Sequence, residues 1–274
     1  MKHLLRTFLA QATPGLLQWL KALRNRLYFY QRFHAFQKEV RNVLFPKDAP
    51  LVVKTGPFEG LAYLNTTVWG SITPKWLGSY EAELHSIITE IIARRYEQVI
   101  DVGCAEGYYA VGLARISAAS VIVAFDTDFI SRAQTRRLAR LNGVAHWIQV
   151  RGECRTATLE TLLSKPSVLV CDIEGGEAAL LNPLNVPGLM TADILVEVHE
   201  PDCGGTGVQN LLEERFASSH SIRKVDATDR SSWLEQHRFH FQPVPADLLE
   251  EATNEHRMAG RVWLWMQAHT GLVR

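Results

Sequence analysis

From residue 99 onward apolar residues fall into short, nearly continuous runs at 99–102, 121–125, 147–150, 168–171 and 194–198. Such runs are the pattern of strands buried on both faces. Between them, residues 108–116, 130–141, 157–163 and 177–181 repeat apolar positions at helical spacing, the third ending before a lysine and a proline, the second at Asn142-Gly143. Strand alternating with helix predicts an α/β fold: a doubly wound, mostly parallel, Rossmann-like sheet with right-handed crossovers. A further apolar pair at 222–225 and 261–266 is expected to complete the sheet.

Upstream the pattern changes. Leu84, Ile87, Ile88, Ile91 and Ile92 share one face of a helix predicted over 79–96, and residues 51–74 break around Gly56-Pro57 and Gly60 into small strands and turns. Earlier still, Thr13-Pro14 reads as an N-cap with proline at the first helical position. Leu16, Leu20, Leu23, Leu27 and Tyr30 then recur at spacings of four and three, until Pro46 and Pro50 end the segment. The chain therefore divides into a basic helical N-terminal arm (1–50), a capping segment of small strands and a helix (51–95) and the sheet domain (96–274).

Composition adds two restrictions. With 274 residues, 47% of them apolar, the chain has material for a sizeable core, which excludes disordered and collagen-like classes. Cys104, Cys154, Cys171 and Cys203 form no Cys-x-x-Cys pair, and no apolar run is long enough to span a bilayer, so a reducing, cytoplasmic setting is expected. The 29 basic and 29 acidic residues cancel, yet residues 1–45 hold eight basic side chains against Glu39 alone. Three readings of this arm follow: a helix docking on its own domain or on a second copy in a homo-oligomer, a contact with an anionic membrane surface, or a nucleic-acid contact. The acidic remainder of the chain disfavours the last.

In open α/β sheets ligands bind beyond the carboxyl ends of the strands. After the first predicted strand comes Asp101-Val-Gly103-Cys-Ala-Glu-Gly107-Tyr-Tyr, whose two glycines permit a tight turn and close backbone approach. Its Gly-x-x-x-Gly spacing departs from the dinucleotide fingerprint and favours a smaller, nucleoside-like ligand. The second strand ends in Asp126-Thr127-Asp128, about 20 residues on, where an acid can accept from ribose hydroxyls, and the third in Gly152-Glu153.

Residues 99–109 with Asp126 and Glu153 resemble the S-adenosylmethionine site of class I methyltransferases. Cys171-Asp-Ile-Glu-Gly-Gly-Glu177 and the run 194–199 ending in Glu197-Val-His199 are similar to segments of the FkbM-type family, over roughly residues 98–200. The resemblance implies S-adenosylmethionine as cofactor. Asp101, Gly103 and Gly107 would surround its methionine portion, Asp126 its ribose and Glu153 its adenine, with Ala105, Tyr108, Thr127 and Asp172 completing the set. Tyr80 and Tyr109 are further candidates for the cofactor border, burial being the alternative for Tyr109. Asp172 and Glu174 would face the transferred methyl group and the acceptor, by default a hydroxyl of a small molecule, natural product or sugar.

The remaining chemistry is read from side-chain type. Glu197 and His199 alternate on one strand face, so His199 is the natural general base, with Glu197 or Asp172 to orient it. Asp172, Glu174, Glu197 and His199 equally offer ligands for Mg²⁺ or Mn²⁺. Two further functions stay open: a nucleic-acid methyltransferase using the basic arm, and a noncatalytic cofactor-binding scaffold. The glycine-rich stretch 200–207 reads as a substrate lid or as an ordinary connection.

Overall fold

The computed structural model of the chain describes residues 34–117, 119, 121–200, 206–242, 244–256 and 261–269. The leucine stripe of the arm, Cys203 and most of the glycine-rich stretch lie outside them. The elements in order are α1 (Thr73–Leu77), α2 (His85–Arg94), β1 (Gln98–Val102), α3 (Tyr108–Ile116), β2 (Val121–Phe125), α4 (Phe129–Leu141), β3 (Ile148–Arg151), α5 (Thr156–Leu162), β4 (Ser167–Cys171), α6 (Glu177–Leu180), β5 (Asp193–Val198), α7 (Gly207–Phe216), β6 (His220–Asp226), α8 (Ser231–His237), α9 (Ala246–Ala252) and β7 (Val262–Ala268).

The seven strands form one sheet in the order β3-β2-β1-β4-β5-β7-β6. β3 through β5 pair in parallel, whereas β7 runs antiparallel to both β5 and β6. This is the mostly parallel Rossmann-like sheet that the alternation predicts. Strand period decides which face each side chain serves. In β1, Val99 packs into one core layer while Ile100 and Val102 pack into the other, and both layers are closed by helices. Strand order reverses between β1 and β4, which opens a crevice at the carboxyl ends of those two strands.

Three predicted elements differ. The helix expected over 79–96 is confined to His85–Arg94, because Glu81 at φ 47° and Arg95 at φ 54° take left-handed conformations that interrupt helical hydrogen bonding. Residues 51–74 hold one isolated bridge, Val52 to Ala62, and no regular strand. Trp147 stays outside β3 and is 44% exposed. At the N-terminal side, residues 34–44 are helical, and Val40, Leu44 and Phe45 are buried in the same apolar cluster as Trp76 and Ile87. Among the described residues no helix is long and apolar enough to cross a membrane.

Candidate active site

The turn after β1 is built by packing against β2 and β4. Gly103 N–H and Cys104 N–H both donate to Phe125 O at 2.9 Å, and Asp172 N–H donates to Val102 O at 2.9 Å. Gly103 has φ 88°, and a Cβ there would lie 1.6 Å from the carbonyl oxygen of Asp172. Only glycine lets the β1 and β4 ends approach this closely. Gly107, also left-handed, caps α3.

Asp126 binds this turn in place. Its Oδ2 accepts from Ala105 N–H at 2.9 Å and its Oδ1 from Asp128 N–H at 2.8 Å. Two backbone donors leave each oxygen a further lone pair for a ligand hydroxyl. Asp128 caps α4 by accepting from Ile130 and Ser131 N–H. Asp101 differs from both: it is 3% exposed and its Oδ2 has no hydrogen-bond partner. Burial, with the charges of Asp126 and Asp172 adding to it, pushes its pKa up to about 7. A buried, unpaired carboxylate oxygen at the crevice is suited to a cationic ammonium.

The other expected cofactor residues are placed less uniformly. Thr127 is exposed and its carbonyl oxygen accepts from Arg132. Glu153 is exposed and bonds Arg155 at 2.9 Å. Tyr108 is 6% exposed, edge-on to Phe58, Tyr63, Tyr80 and Tyr109. Tyr109 is held within the same cluster, its hydroxyl donating to the Glu81 carboxylate. Phe129 and Ile130, 70% and 49% exposed, add apolar surface beside Asp126.

Across the crevice, β4 and β5 bring four predicted residues together around one imidazole. His199 Nε2 lies 3.2 Å from Glu174, 3.6 Å from Asp172 and 3.8 Å from Glu197. Asp172 follows β4 directly, and Glu174 is thrown toward the histidine by a left-handed backbone, φ 55°, followed by Gly175 at φ 111°. Two partners were not singled out by sequence. Glu177, wholly buried at the start of α6, accepts from His199 Nδ1–H at 2.8 Å and also from Gly175 N–H at 3.1 Å. Arg261, just before β7, donates from Nη1 to His199 Nε2 at 2.5 Å and reaches Glu197 at 3.3 Å. Glu177 closes the acidic motif and was legible as such. The Arg261 contact depends on the antiparallel register of β7 against β5, which no local spacing reveals.

These partners set the protonation balance. Burial pulls the His199 pKa down, but the hydrogen bond to Glu177 and the charges of Glu197 and Asp172 outweigh it, so the pKa is raised. Burial, then the charge of Asp172, drives Glu197 up to about 8. Burial opposes ionisation of Glu177, yet the bond from His199 and its backbone donors hold its pKa below the ordinary value. Asp172, Glu174 and His199 also present ligand atoms within 4.8 Å of one another, while Glu197 falls outside that group.

A second buried pair supports the turn from behind. Lys75 Nζ lies 2.5 Å from Glu106 Oε1, both side chains at most 3% exposed. Tyr63 and Thr67 hydroxyls each donate to the same oxygen at 3.0 Å. The capping segment thereby grips the Gly103–Gly107 turn through its central glutamate.

The family model for ribosomal protein L11 methyltransferase (PrmA) matches residues 84–177. No curated protein matches the chain. Among solved structures, the O-methyltransferase TomG from Streptomyces achromogenes is 13% identical with a TM-score of 0.44, over 85% of this chain and 89% of that one. An O-methyltransferase from Bacillus cereus is 12% identical with a TM-score of 0.44, over 65% and 78%. The PrmA stretch runs from α2 through β1 to β4 and so takes in the glycine turn, Asp126 and Asp172. That stretch is 94 of the 274 residues, and it is similar to a methyltransferase family.

Proposed function

We propose that the chain is an S-adenosylmethionine-dependent O-methyltransferase acting on a hydroxyl of a small molecule, natural product or sugar. The observation that carries this reading is the imidazole of His199, held among four carboxylates at the ends of β4 and β5, across the crevice from a buried Asp101 whose Oδ2 has no hydrogen-bond partner. Asp101 would hold the cofactor's ammonium, Asp126 its ribose, and Phe129 and Ile130 would shield its adenine. When bound, that cofactor supplies an already activated methyl group, so the chain's own task is positioning and proton removal.

His199 fits that task. Glu177 fixes the tautomer with Nδ1 protonated, so the Nε2 lone pair is the basic one; it accepts from Arg261 Nη1, which an acceptor hydroxyl would displace. A proton taken from an acceptor hydroxyl would create an imidazolium whose charge Glu177, Glu197 and Asp172 stabilise. Arg261 meanwhile offsets part of the acidic excess. A second reading, favoured by three ligand atoms within 4.8 Å of one another, has Asp172, Glu174 and His199 hold Mg²⁺ or Mn²⁺ and orient the hydroxyl through it.

The test is release of demethylated cofactor on incubation with a panel of polyhydroxylated acceptors, with and without a chelator. Turnover that survives chelation and falls about 10²- to 10⁴-fold in His199→Ala supports the base. Turnover abolished by chelator and restored by Mg²⁺ supports the cation. Methylation confined to RNA or DNA would overturn the acceptor class, and cofactor binding without transfer to any acceptor would make the chain a scaffold.

A further inference from the structure

An open groove of about 520 Å³ lies between the helix of residues 34–44 and the carboxyl end of α4, with Arg41, Arg137 and Arg140 on its walls. All three arginines are exposed. None of them makes a side-chain hydrogen bond or ion pair with a described residue, in contrast to Arg132 and Arg136 on the same α4, which are each engaged. Three unpaired guanidinium groups around one concavity repel one another and concentrate positive potential there, which suits an anionic occupant. Leu51, Tyr63, Leu64, Asn65 and Leu141 complete the lining; Tyr63 and Leu64 are each 2% exposed, whereas Leu141 is 53% exposed.

We propose that this groove docks on an anionic membrane surface, the arginines taking lipid headgroup phosphates while Leu141 meets the interface. Guanidinium forks match phosphate oxygens bidentately. The aromatic among the lining residues, Tyr63, is 2% exposed and donates its hydroxyl to Glu106, so the groove presents no ring for the base stacking of a nucleic-acid track. Charge excludes the chain's own N-terminal segment as occupant, since residues 1–33 carry six basic residues and no acid. The groove also lies at the carboxyl end of α4, hence at the opposite end of the sheet from the crevice. Docking there leaves the crevice open to solvent.

Flotation of the full chain with phosphatidylcholine vesicles containing about one-third phosphatidylglycerol tests this, with pure phosphatidylcholine vesicles as control. Binding should require the anionic lipid and fall steeply with salt. The triple variant Arg41→Gln, Arg137→Gln, Arg140→Gln should lose roughly fivefold per arginine, about a hundredfold in all. A variant with the same net charge, made by changing Lys165, Lys224 and Arg238 to Gln, should keep most of the binding. Equal losses in the two variants would show a net-charge effect and overturn the groove, as would a triple variant that floats like the parent. A parent chain that ignores both vesicles but binds single-stranded RNA through these arginines would overturn the membrane in favour of nucleic acid. Circular dichroism and a thermal melt on each variant confirm that the fold is kept.

Discussion

Glu177 Oε1 accepts from His199 Nδ1 at 2.8 Å, and this glutamate is itself wholly buried. A backbone donor from Gly175 fixes the carboxylate, so the imidazole has one orientation and one tautomer. Because the charged partners outweigh burial, His199 should titrate above its ordinary value of about 6.5. The free base, and with it kcat/KM, should rise with pH through that raised value. In Glu177→Gln the main upward influence is gone while burial stays, so the midpoint should move down. Nuclear magnetic resonance titration of the His199 ring checks both statements without an acceptor.

Arg261 acts on the same ring with opposite sign. A guanidinium 2.5 Å from Nε2 disfavours protonation there. Replacing Arg261 by Gln should raise the His199 midpoint further and deepen the acidic excess around Glu197, which lies 3.3 Å from the guanidinium. An unchanged His199 titration would show that Arg261 is only a packing neighbour.

The Lys75–Glu106 pair predicts a stability pattern. Lys75→Met leaves Glu106 buried without its counter-ion and should cost on the order of 3–5 kcal/mol in urea denaturation. Pairing Lys75→Met with Glu106→Gln should recover most of that loss, because no uncompensated charge remains. The pKa of Glu106 is lowered, since the charge and hydrogen bond of Lys75 overcome burial. Its contribution is thus present above the ordinary carboxylate range and lost as pH falls through the lowered value.

Asp101 should show the reverse sign. Its folded-state pKa is up to about 7, against about 3.9 when unfolded. Between those values the folded chain holds more protons than the unfolded one, so stability falls as pH rises across that window. Asp101→Asn should flatten this part of the profile measured by urea denaturation at stepped pH. A profile identical to the parent would place the ionisation elsewhere.

Much of this arrangement was legible in the chain. The sheet was, because strands buried on both faces give continuous apolar runs, and β6 and β7 matched the last predicted pair. The juxtaposition of Asp172, Glu174, Glu197 and His199 was too, because adjacent parallel strands must deliver their terminal residues to one edge. What stayed hidden depends on contacts distant in sequence. Lys75 meets Glu106 only through the irregular path of residues 63–75. Arg261 reaches His199 only through strand register. The predicted helix at 79–96 was too long because periodicity does not report the left-handed turn at Glu81.

The account rests on the crevice between β1 and β4 binding S-adenosylmethionine through Asp101. Isothermal titration of the full chain with the cofactor tests this directly, run in two buffers of different ionisation heat. One molecule per chain should bind with net proton release, as Asp101 ionises against the incoming ammonium. Asp101→Asn should weaken binding about tenfold or more, although the free variant, relieved of a buried carboxylate, melts no lower than the parent near neutral pH. No heat of binding in the parent chain, or an affinity unchanged in Asp101→Asn, would contradict the account.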